Sequence, residues 1–103
     1  MRRIKITVVK MDYNADLARK YGDGVNGPCM LHQLNQEIYC ERHYQPQEIC
    51  GEAWKAMQHY VYALYHGSDL PLGRGWMRDP GVAIVTCNDG LRPVTFKLER
   101  VEE

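Results

Sequence analysis

The chain has 103 residues, and its 13 acidic and 13 basic side chains give a formal net charge of zero. This length is typical of one domain. A neutral chain lacks the basic excess that binding to nucleic acid or to a membrane surface needs, so we expect neither partner. The sequence contains no apolar run long enough to cross a bilayer and no signal peptide. We therefore expect a single cytoplasmic domain, residues 1–103, whose four cysteines are reduced.

The first elements are predicted from alternation and from capping residues. Residues 3–10 alternate, which indicates a strand with one apolar face made by Ile4, Ile6 and Val8. Asn14 is placed to cap a short helix that ends near Tyr21, and Gly22 follows as its terminator. Residues 36–43 predict a second strand, which carries Ile38 and Cys40 on one face.

The longest periodic segment predicts the main helix. Pro46 suits a first helical position, and Gly67 is placed to end the helix after His66. Six residues recur at steps of three and four and define the face that packs on the sheet: Cys50, Trp54, Met57, Val61, Leu64 and Tyr65. His59, Tyr62 and His66 lie on a second, more polar stripe.

The last segment, residues 82–101, predicts a hairpin with a short turn. Its first run is apolar on both faces, as expected of a strand that is covered on both sides. Its second run alternates, with Val94, Phe96 and Leu98 on one face. The order β-α-β-α-β-β indicates an α+β fold. We expect a small mixed or antiparallel sheet of about four strands, with one main helix and one short helix packed on it.

Neutral charge, seven tyrosines and an apolar loop together favour a homodimer. The loop covers residues 68–81 and is rich in Gly and Pro, yet it carries Leu70, Leu72, Trp76 and Met77. A loop of this kind is usually held down over another surface. It therefore predicts either a lid or a contact between two copies.

The cysteines do not form paired Cys-x-x-Cys knuckles, the strongest sequence signal for zinc. Two Cys-x-x-His pairs exist, Cys29 with His32 and Cys40 with His43. The second pair lies on a predicted strand, where positions three apart point to opposite faces. A tetrahedral site built from both pairs is therefore disfavoured.

Each cysteine is better judged by its place in the chain. Cys40 shares a strand face with Ile38 and is expected in the core. Cys50 falls in the first turn of the main helix, where it either packs on the sheet or is a reactive thiol. Cys29 follows a glycine-rich loop and Cys87 ends a strand, and such positions are where functional residues concentrate.

The turn after Cys87 also carries Asp89 and Arg92. Asp89 and Gly90 are typical hairpin-turn residues, with Gly supplying a positive φ and Asp bonding the local backbone. Arg92 precedes Pro93 and is therefore held extended. Its guanidinium suits a bound carboxylate or phosphate, or an internal acid such as Asp89.

Three segments resemble a family of small prokaryotic proteins of about this length whose function is not established. They are Gly27-Pro28-Cys29, Cys50 with Trp54, and the stretch Cys87-Asn88-Asp89-Gly90-Leu91-Arg92-Pro93-Val94-Thr95-Phe96-Lys97 with the residues that follow it to Arg100. The resemblance covers residues 4–102, and the closing stretch is its most specific part. It implies thiols at Cys29, Cys50 and Cys87, but not at Cys40.

These observations predict a cysteine-centred site with Arg92 and Trp54 as neighbours. If the three thiols converge, Cys29, Cys50 and Cys87 suit a zinc, copper or iron ion. If only two converge, thiol chemistry on a small molecule is favoured, with Cys29, Cys87 and Arg92 as the catalytic candidates and Trp54 as a cofactor contact. One alternative is a non-catalytic homodimeric module with the cysteines in its core. Another is an acid-binding enzyme that uses Arg92, so the sequence leaves open whether the protein is an enzyme.

Overall fold

A computed structural model describes residues 2–102, and it confirms the predicted small α+β fold. The elements follow in the order β1 (Arg2–Met11), α1 (Ala15–Tyr21), β2 (Glu37–Cys40), α2 (Gly51–Tyr65), β3 (Val82–Thr86) and β4 (Val94–Glu102). The four strands form one sheet in the order β2-β1-β4-β3, and every neighbouring pair is antiparallel.

The core lies between one face of this sheet and α2. The predicted apolar faces of β1 and β4 are buried, and so is the predicted face of the main helix from Trp54 to Leu64. Ile6 lies opposite Ile38 on one side and Leu98 on the other, so the core runs continuously across three strands. The other face of the sheet carries ion pairs such as Lys5–Glu37 and Lys97–Glu99.

Helix α1 has the predicted span, but it begins and ends differently from the prediction. Asn14 is the N-cap residue, yet its side chain makes no capping hydrogen bond. Its amide Nδ2 donates instead to the carbonyl of Gly90, and its backbone N–H donates to the carbonyl of Leu91. Gly22 follows the helix with extended backbone rather than a left-handed conformation. Asn14 therefore serves the closing hairpin rather than its own helix.

Strand β2 and helix α2 are both shorter than predicted. Strand β2 ends at Cys40, because the chain turns at Arg42, whose φ is +58°. Pro46 lies in a turn before the helix and is buried there rather than opening it. Helix α2 begins at Gly51, so Cys50 is its N-cap residue and not a member of its first turn.

Strand β3 is covered on one face only, so the prediction of two covered faces was wrong. It is an edge strand, and helix α2 covers only one side of the sheet. Ala83 and Val85 point into the core, whereas Ile84 is 40% exposed. The apolar run from Val82 to Val85 reflects the β-propensity of branched residues as much as burial.

The C-terminal end of α2 is closed by a Schellman motif and two arginines. Gly67, with φ of +95°, donates its N–H to the carbonyl of Leu64, and the Ser68 N–H donates to the carbonyl of Ala63. The predicted helix end and its glycine stop are thus confirmed.

Two strand residues complete this closure. Arg100 donates from Nη1 to the carbonyls of Leu64 and Ser68, at 3.0 and 2.9 Å, and pairs with Asp69. Arg2 donates to the carbonyl of Tyr65 at 2.8 Å. The last carbonyls of the helix are therefore bound to the ends of β1 and β4.

The loop of residues 68–81 is only partly packed. Leu72 packs against the core, whereas Trp76 is 72% exposed and Leu70 is 50% exposed. Neither helix within residues 2–102 is long and apolar enough to cross a membrane.

Candidate functional site

Three of the four cysteines line one pocket with a volume of about 360 Å³. Cys29 comes from the loop before β2, Cys50 from the N-cap of α2 and Cys87 from the end of β3. The remaining lining residues are Met30, Leu31, His32, Glu52, Ala53, Asp89, Arg92 and Val94. The structure thus brings together the three thiols and the arginine that the sequence predicted, although these residues are far apart in the chain.

Cys87 is positioned by the loop that joins β3 and β4. This loop covers residues 87–93, so it carries Cys87, Asp89 and Arg92 as the sequence predicted. Its first residue still pairs across the hairpin, since the Cys87 N–H donates to the carbonyl of Val94 at 3.0 Å. The Val94 N–H in turn donates to Cys87 Sγ at 3.4 Å. The thiol is therefore held against the beginning of β4.

The same loop is fastened to the segment between β1 and α1. The N–H groups of Asp12 and Asn14 donate to the carbonyls of Pro93 and Leu91, both at 2.9 Å. The Asn14 side chain adds a third bond, to the carbonyl of Gly90. Gly90 does not adopt the positive φ that a tight turn would require, because these bonds shape the loop instead.

Asp89 organises the loop and orients Arg92. Its Oδ1 accepts from the N–H groups of Leu91 and Arg92, at 2.9 and 3.1 Å. Its Oδ2 accepts from Arg92 Nε at 3.0 Å. Partial burial alone would raise the pKa of Asp89, but these backbone bonds and the Arg92 guanidinium outweigh it and hold the pKa below its ordinary value of 3.8. The predicted local role of Asp89 and its pairing with Arg92 are both confirmed.

Cys50 is joined to the loop carrying Cys29 through the buried His32. The Cys50 N–H donates to His32 Nε2 at 3.3 Å, so His32 Nδ1 carries the proton and donates to Gln36 Oε1 at 3.1 Å. The imidazole is 5% exposed and meets the edge of Phe96. A neutral histidine therefore connects the 29–36 loop to the beginning of α2.

The thiol groups of Cys29 and Cys50 differ in their surroundings. Cys29 Sγ accepts from the Leu31 N–H at 3.4 Å, which fixes it in its own loop. Cys50 makes no side-chain capping bond with α2. Both residues are partly exposed and unpaired with other cysteines. Both residues pack against the core and line the pocket.

Cys40, His43 and Trp54 lie outside the thiol pocket, and for Cys40 this is the core position that the sequence predicted. Cys40 is fully buried in the core, and this burial raises the pKa of its thiol to about 12. His43 packs in an aromatic cluster with Tyr44, Tyr62 and His66, so it does not join Cys29 and His32. Trp54 lines a separate groove together with His43. Neither the Cys₂His₂ set nor a contact of Trp54 with the thiol pocket is formed.

No group of three or more His, Cys, Asp or Glu side chains within residues 2–102 has a geometry that could hold a metal ion. The two acids of the pocket also have partners already. Asp89 is bound to Arg92, and Glu52 accepts from Lys55 at 2.9 Å and from Asn88 at 3.5 Å. These bonds lower the pKa of Glu52, the Lys55 bond most strongly. Both carboxylates are therefore ionised near neutral pH and already bonded to other side chains.

Sequence reasoning missed the role of His32 and the presence of Glu52 in the pocket. His32 was judged only as a zinc ligand, yet its place three residues after Cys29 gives a usable signal: a histidine in a thiol-bearing loop can fasten that loop. Glu52 gave no such signal, because an acid in the first turn of a helix is expected for the helix dipole alone.

No family model, curated protein or solved structure matches the chain. The resemblance carried by the closing stretch from Cys87 stays a prediction. The function proposed for the protein therefore depends on the geometry of the thiol pocket.

Proposed function

We propose that the protein binds a small electrophilic molecule in the thiol pocket and that cysteine thiols attack it. The observation that carries this proposal is the distribution of the cysteines. Three come from separate segments to line one pocket, while the fourth is buried in the core. Packing alone does not require three partly exposed thiols around a common cavity, since buried cysteines behave as small apolar residues.

The walls of the pocket suit thiol chemistry. Met30, Leu31, Ala53 and Val94 are apolar, and His32 Nε2 carries no proton because it accepts from the Cys50 N–H. Pockets of this kind bind small molecules with apolar walls and a few placed polar groups. All four thiols are free. We propose a cytoplasmic location, where cysteines stay reduced.

The test is the rate at which each cysteine is alkylated by iodoacetamide in the native protein, measured by peptide mass spectrometry. We expect Cys29, Cys50 and Cys87 to react at least about a hundredfold faster than Cys40, because Cys40 is reached only when the core opens. Cys40 is thus an internal control in the same molecule. The proposal is wrong if none of the three reacts faster than Cys40.

The single variants Cys29→Ser, Cys50→Ser and Cys87→Ser identify the nucleophile. The variant that removes the fastest-reacting thiol lowers the rate of N-ethylmaleimide capture at the pocket the most, and the other two variants keep most of that rate. If all three variants differ from the wild type in stability alone, the cysteines only pack. A zinc, copper or iron ion on the same thiols is the alternative chemistry, and elemental analysis of protein purified without oxygen tests it.

A homodimeric binding module is the second candidate function, and the exposed side chains of the 68–81 loop favour it. Trp76 is 72% exposed and Leu70 is 50% exposed. Exposed large apolar groups that lie together are typical of interaction surfaces. Light scattering after gel filtration tests this candidate: it requires a dimer that Trp76→Ser weakens, and a monomer at high concentration contradicts it.

A further inference from the structure

We propose that the molecule taken up by the thiol pocket is a small organic acid whose anionic group is bound by Arg92. This inference rests on the proposed function and names its substrate class. Arg92 lines the pocket with the three thiols, and its side chain is 41% exposed. An anion held there lies within the same small cavity as the reactive sulfur atoms.

The hydrogen bonds of Arg92 leave its outer edge available. Its side chain is bonded within the described chain only through Nε, which donates to Asp89 Oδ2 at 3.0 Å. Nη1 and Nη2 therefore have no acceptor among residues 2–102. A guanidinium presents its donors as a planar fork, and this fork matches a carboxylate or phosphate with two parallel hydrogen bonds.

Asp89 cannot be displaced easily to make a different pairing. Its Oδ1 is already bonded to two backbone N–H groups, those of Leu91 and Arg92. The loop is in turn fastened by Asp12 and Asn14. Asp89 therefore acts as a positioning residue that fixes the plane of the guanidinium. Holding a binding group in place before the ligand arrives lowers the entropic cost of binding.

The two carboxylates of the pocket are both paired. Glu52 is neutralised by Lys55, as Asp89 is by Arg92, so each carboxylate has a cationic partner. The side-chain donors of the pocket that have no acceptor within the described chain are Nη1 and Nη2 of Arg92. The N–H groups of Glu52 and Ala53, in the first turn of α2, have no acceptor within the described chain and add to the same preference.

The size of the cavity limits the acid. A volume of about 360 Å³ is near the lower end of the range of small-molecule pockets, about 300–1,000 Å³. The apolar walls made by Met30, Leu31 and Val94 suit a short carbon skeleton beside the anionic group. The ligand that fits is a small carboxylic acid with an electrophilic carbon near its carboxylate.

The experiment compares two reagents that differ only in charge, iodoacetate and iodoacetamide. In both reactions the thiolate sulfur forms a bond to the CH₂ carbon, and iodide leaves with the electron pair of the carbon–iodine bond. The measured quantity is the ratio of the two alkylation rates at each pocket cysteine, divided by the same ratio for glutathione. We expect a normalised ratio of about ten in favour of iodoacetate at the reacting thiol, equivalent to about 1.4 kcal/mol.

Four variants test whether Arg92 causes the preference for iodoacetate. Arg92→Gln should reduce the normalised ratio to one, and Arg92→Lys, which keeps the charge but loses the fork, should give an intermediate value. Asp89→Asn should lower the ratio, because Arg92 loses its fixed orientation. Arg74→Gln is the matched control, since Arg74 is exposed in the 68–81 loop and away from the pocket, and it should keep the wild-type ratio.

The outcomes separate the two proposals. If iodoacetamide alkylates no pocket cysteine faster than Cys40, the proposed function itself fails. If the pocket cysteines react with both reagents but the normalised ratio is one, or is unchanged in both Arg92 variants, the anion inference is overturned and the thiol function stands. Thermal unfolding of each variant shows whether it is folded, and Arg92→Lys supplies the ratio if Arg92→Gln does not fold.

Discussion

The two ends of helix α2 are built in opposite ways. At the C-terminal end the last carbonyls are all engaged, by the Schellman motif at Gly67 and by the guanidinium groups of Arg100 and Arg2. At the N-terminal end Cys50 makes no side-chain cap and its N–H donates to His32 Nε2, but within residues 2–102 the N–H groups of Glu52 and Ala53 have no acceptor. A single helix thus has one end that is closed and one that is open.

We propose that the closed end of α2 stabilises the fold and that the open end takes part in ligand binding. The closed end joins α2 to the outermost residues of β1 and β4, so it holds the helix on the sheet. The open end faces the thiol pocket, where free donors and partly exposed thiols can meet a ligand. Helix ends satisfy their backbone groups with side chains, water or ligands. The end that leaves backbone N–H groups without an acceptor is therefore the end that we expect to bind a ligand.

Removing Arg100 should have the largest effect on stability. Arg100→Ala leaves the carbonyls of Leu64 and Ser68 without their donor and removes the pairing with Asp69. We expect a loss of about 2–3 kcal/mol in the free energy of unfolding, measured by urea denaturation, because its side chain is only 14% exposed. Iodoacetamide labelling of the pocket cysteines should stay as in the wild type.

Arg74→Ala is the control for this change, because Arg74 is exposed and within the described chain has no side-chain partner. It should alter stability by no more than about 0.5 kcal/mol. A loss below about 1 kcal/mol for Arg100→Ala would mean that the backbone motif at Gly67 closes the helix without help.

Replacing His32 should affect the open end. His32→Phe keeps a ring against Phe96 but removes the acceptor of the Cys50 N–H and the donor to Gln36. We expect a loss of about 1–2 kcal/mol in unfolding free energy, since the partly buried Cys50 N–H is left unpaired. The alkylation rate of Cys29 should rise, because its loop is no longer fastened to α2.

His59→Phe is the control variant at another histidine, because His59 is exposed on α2. It should leave both unfolding and labelling unchanged. If His32→Phe lowers stability without altering the labelling of Cys29 and Cys50, His32 only fills the core and does not position the loop.

The sequence predicted the faces of the elements well, because periodicity reports burial directly. The alternation of Ile4, Ile6 and Val8 and the helical spacing of Met57 and Val61 both correspond to fully buried side chains. It also selected Cys29, Cys50, Cys87 and Arg92, from their places in loops and at element ends.

Two of the errors share one physical cause. The beginning of α2 and the role of Asn14 both depend on hydrogen bonds to distant residues. The Asn14 side chain does not cap α1, because its amide donates to the carbonyl of Gly90, which is 76 positions away in the chain. Local propensity gives no information about such a partner, so capping residues are the least predictable part of this fold.

The smallest expected effects come from alanine at the two glycines that flank α2. Gly67 has φ of +95°, so Gly67→Ala forces a side chain into the left-handed region and should cost about 1 kcal/mol. Gly51 does not have a positive φ, and a Cβ there would meet no atom within 4 Å. Gly51→Ala should therefore raise stability by about 0.5 kcal/mol, through the lower entropy of its unfolded chain.

Urea denaturation of the two variants and of the double variant measures these effects, which should add because the sites share no partner. A loss of stability for Gly51→Ala would mean that the N-terminal end of α2 is packed rather than open. The same variant also tests whether a bound anion reaches the helix backbone, because a methyl group at the first position of the helix would then contact the anion. If Gly51→Ala unfolds normally but lowers the preference for iodoacetate, the anion approaches the helix backbone as closely as it approaches Arg92.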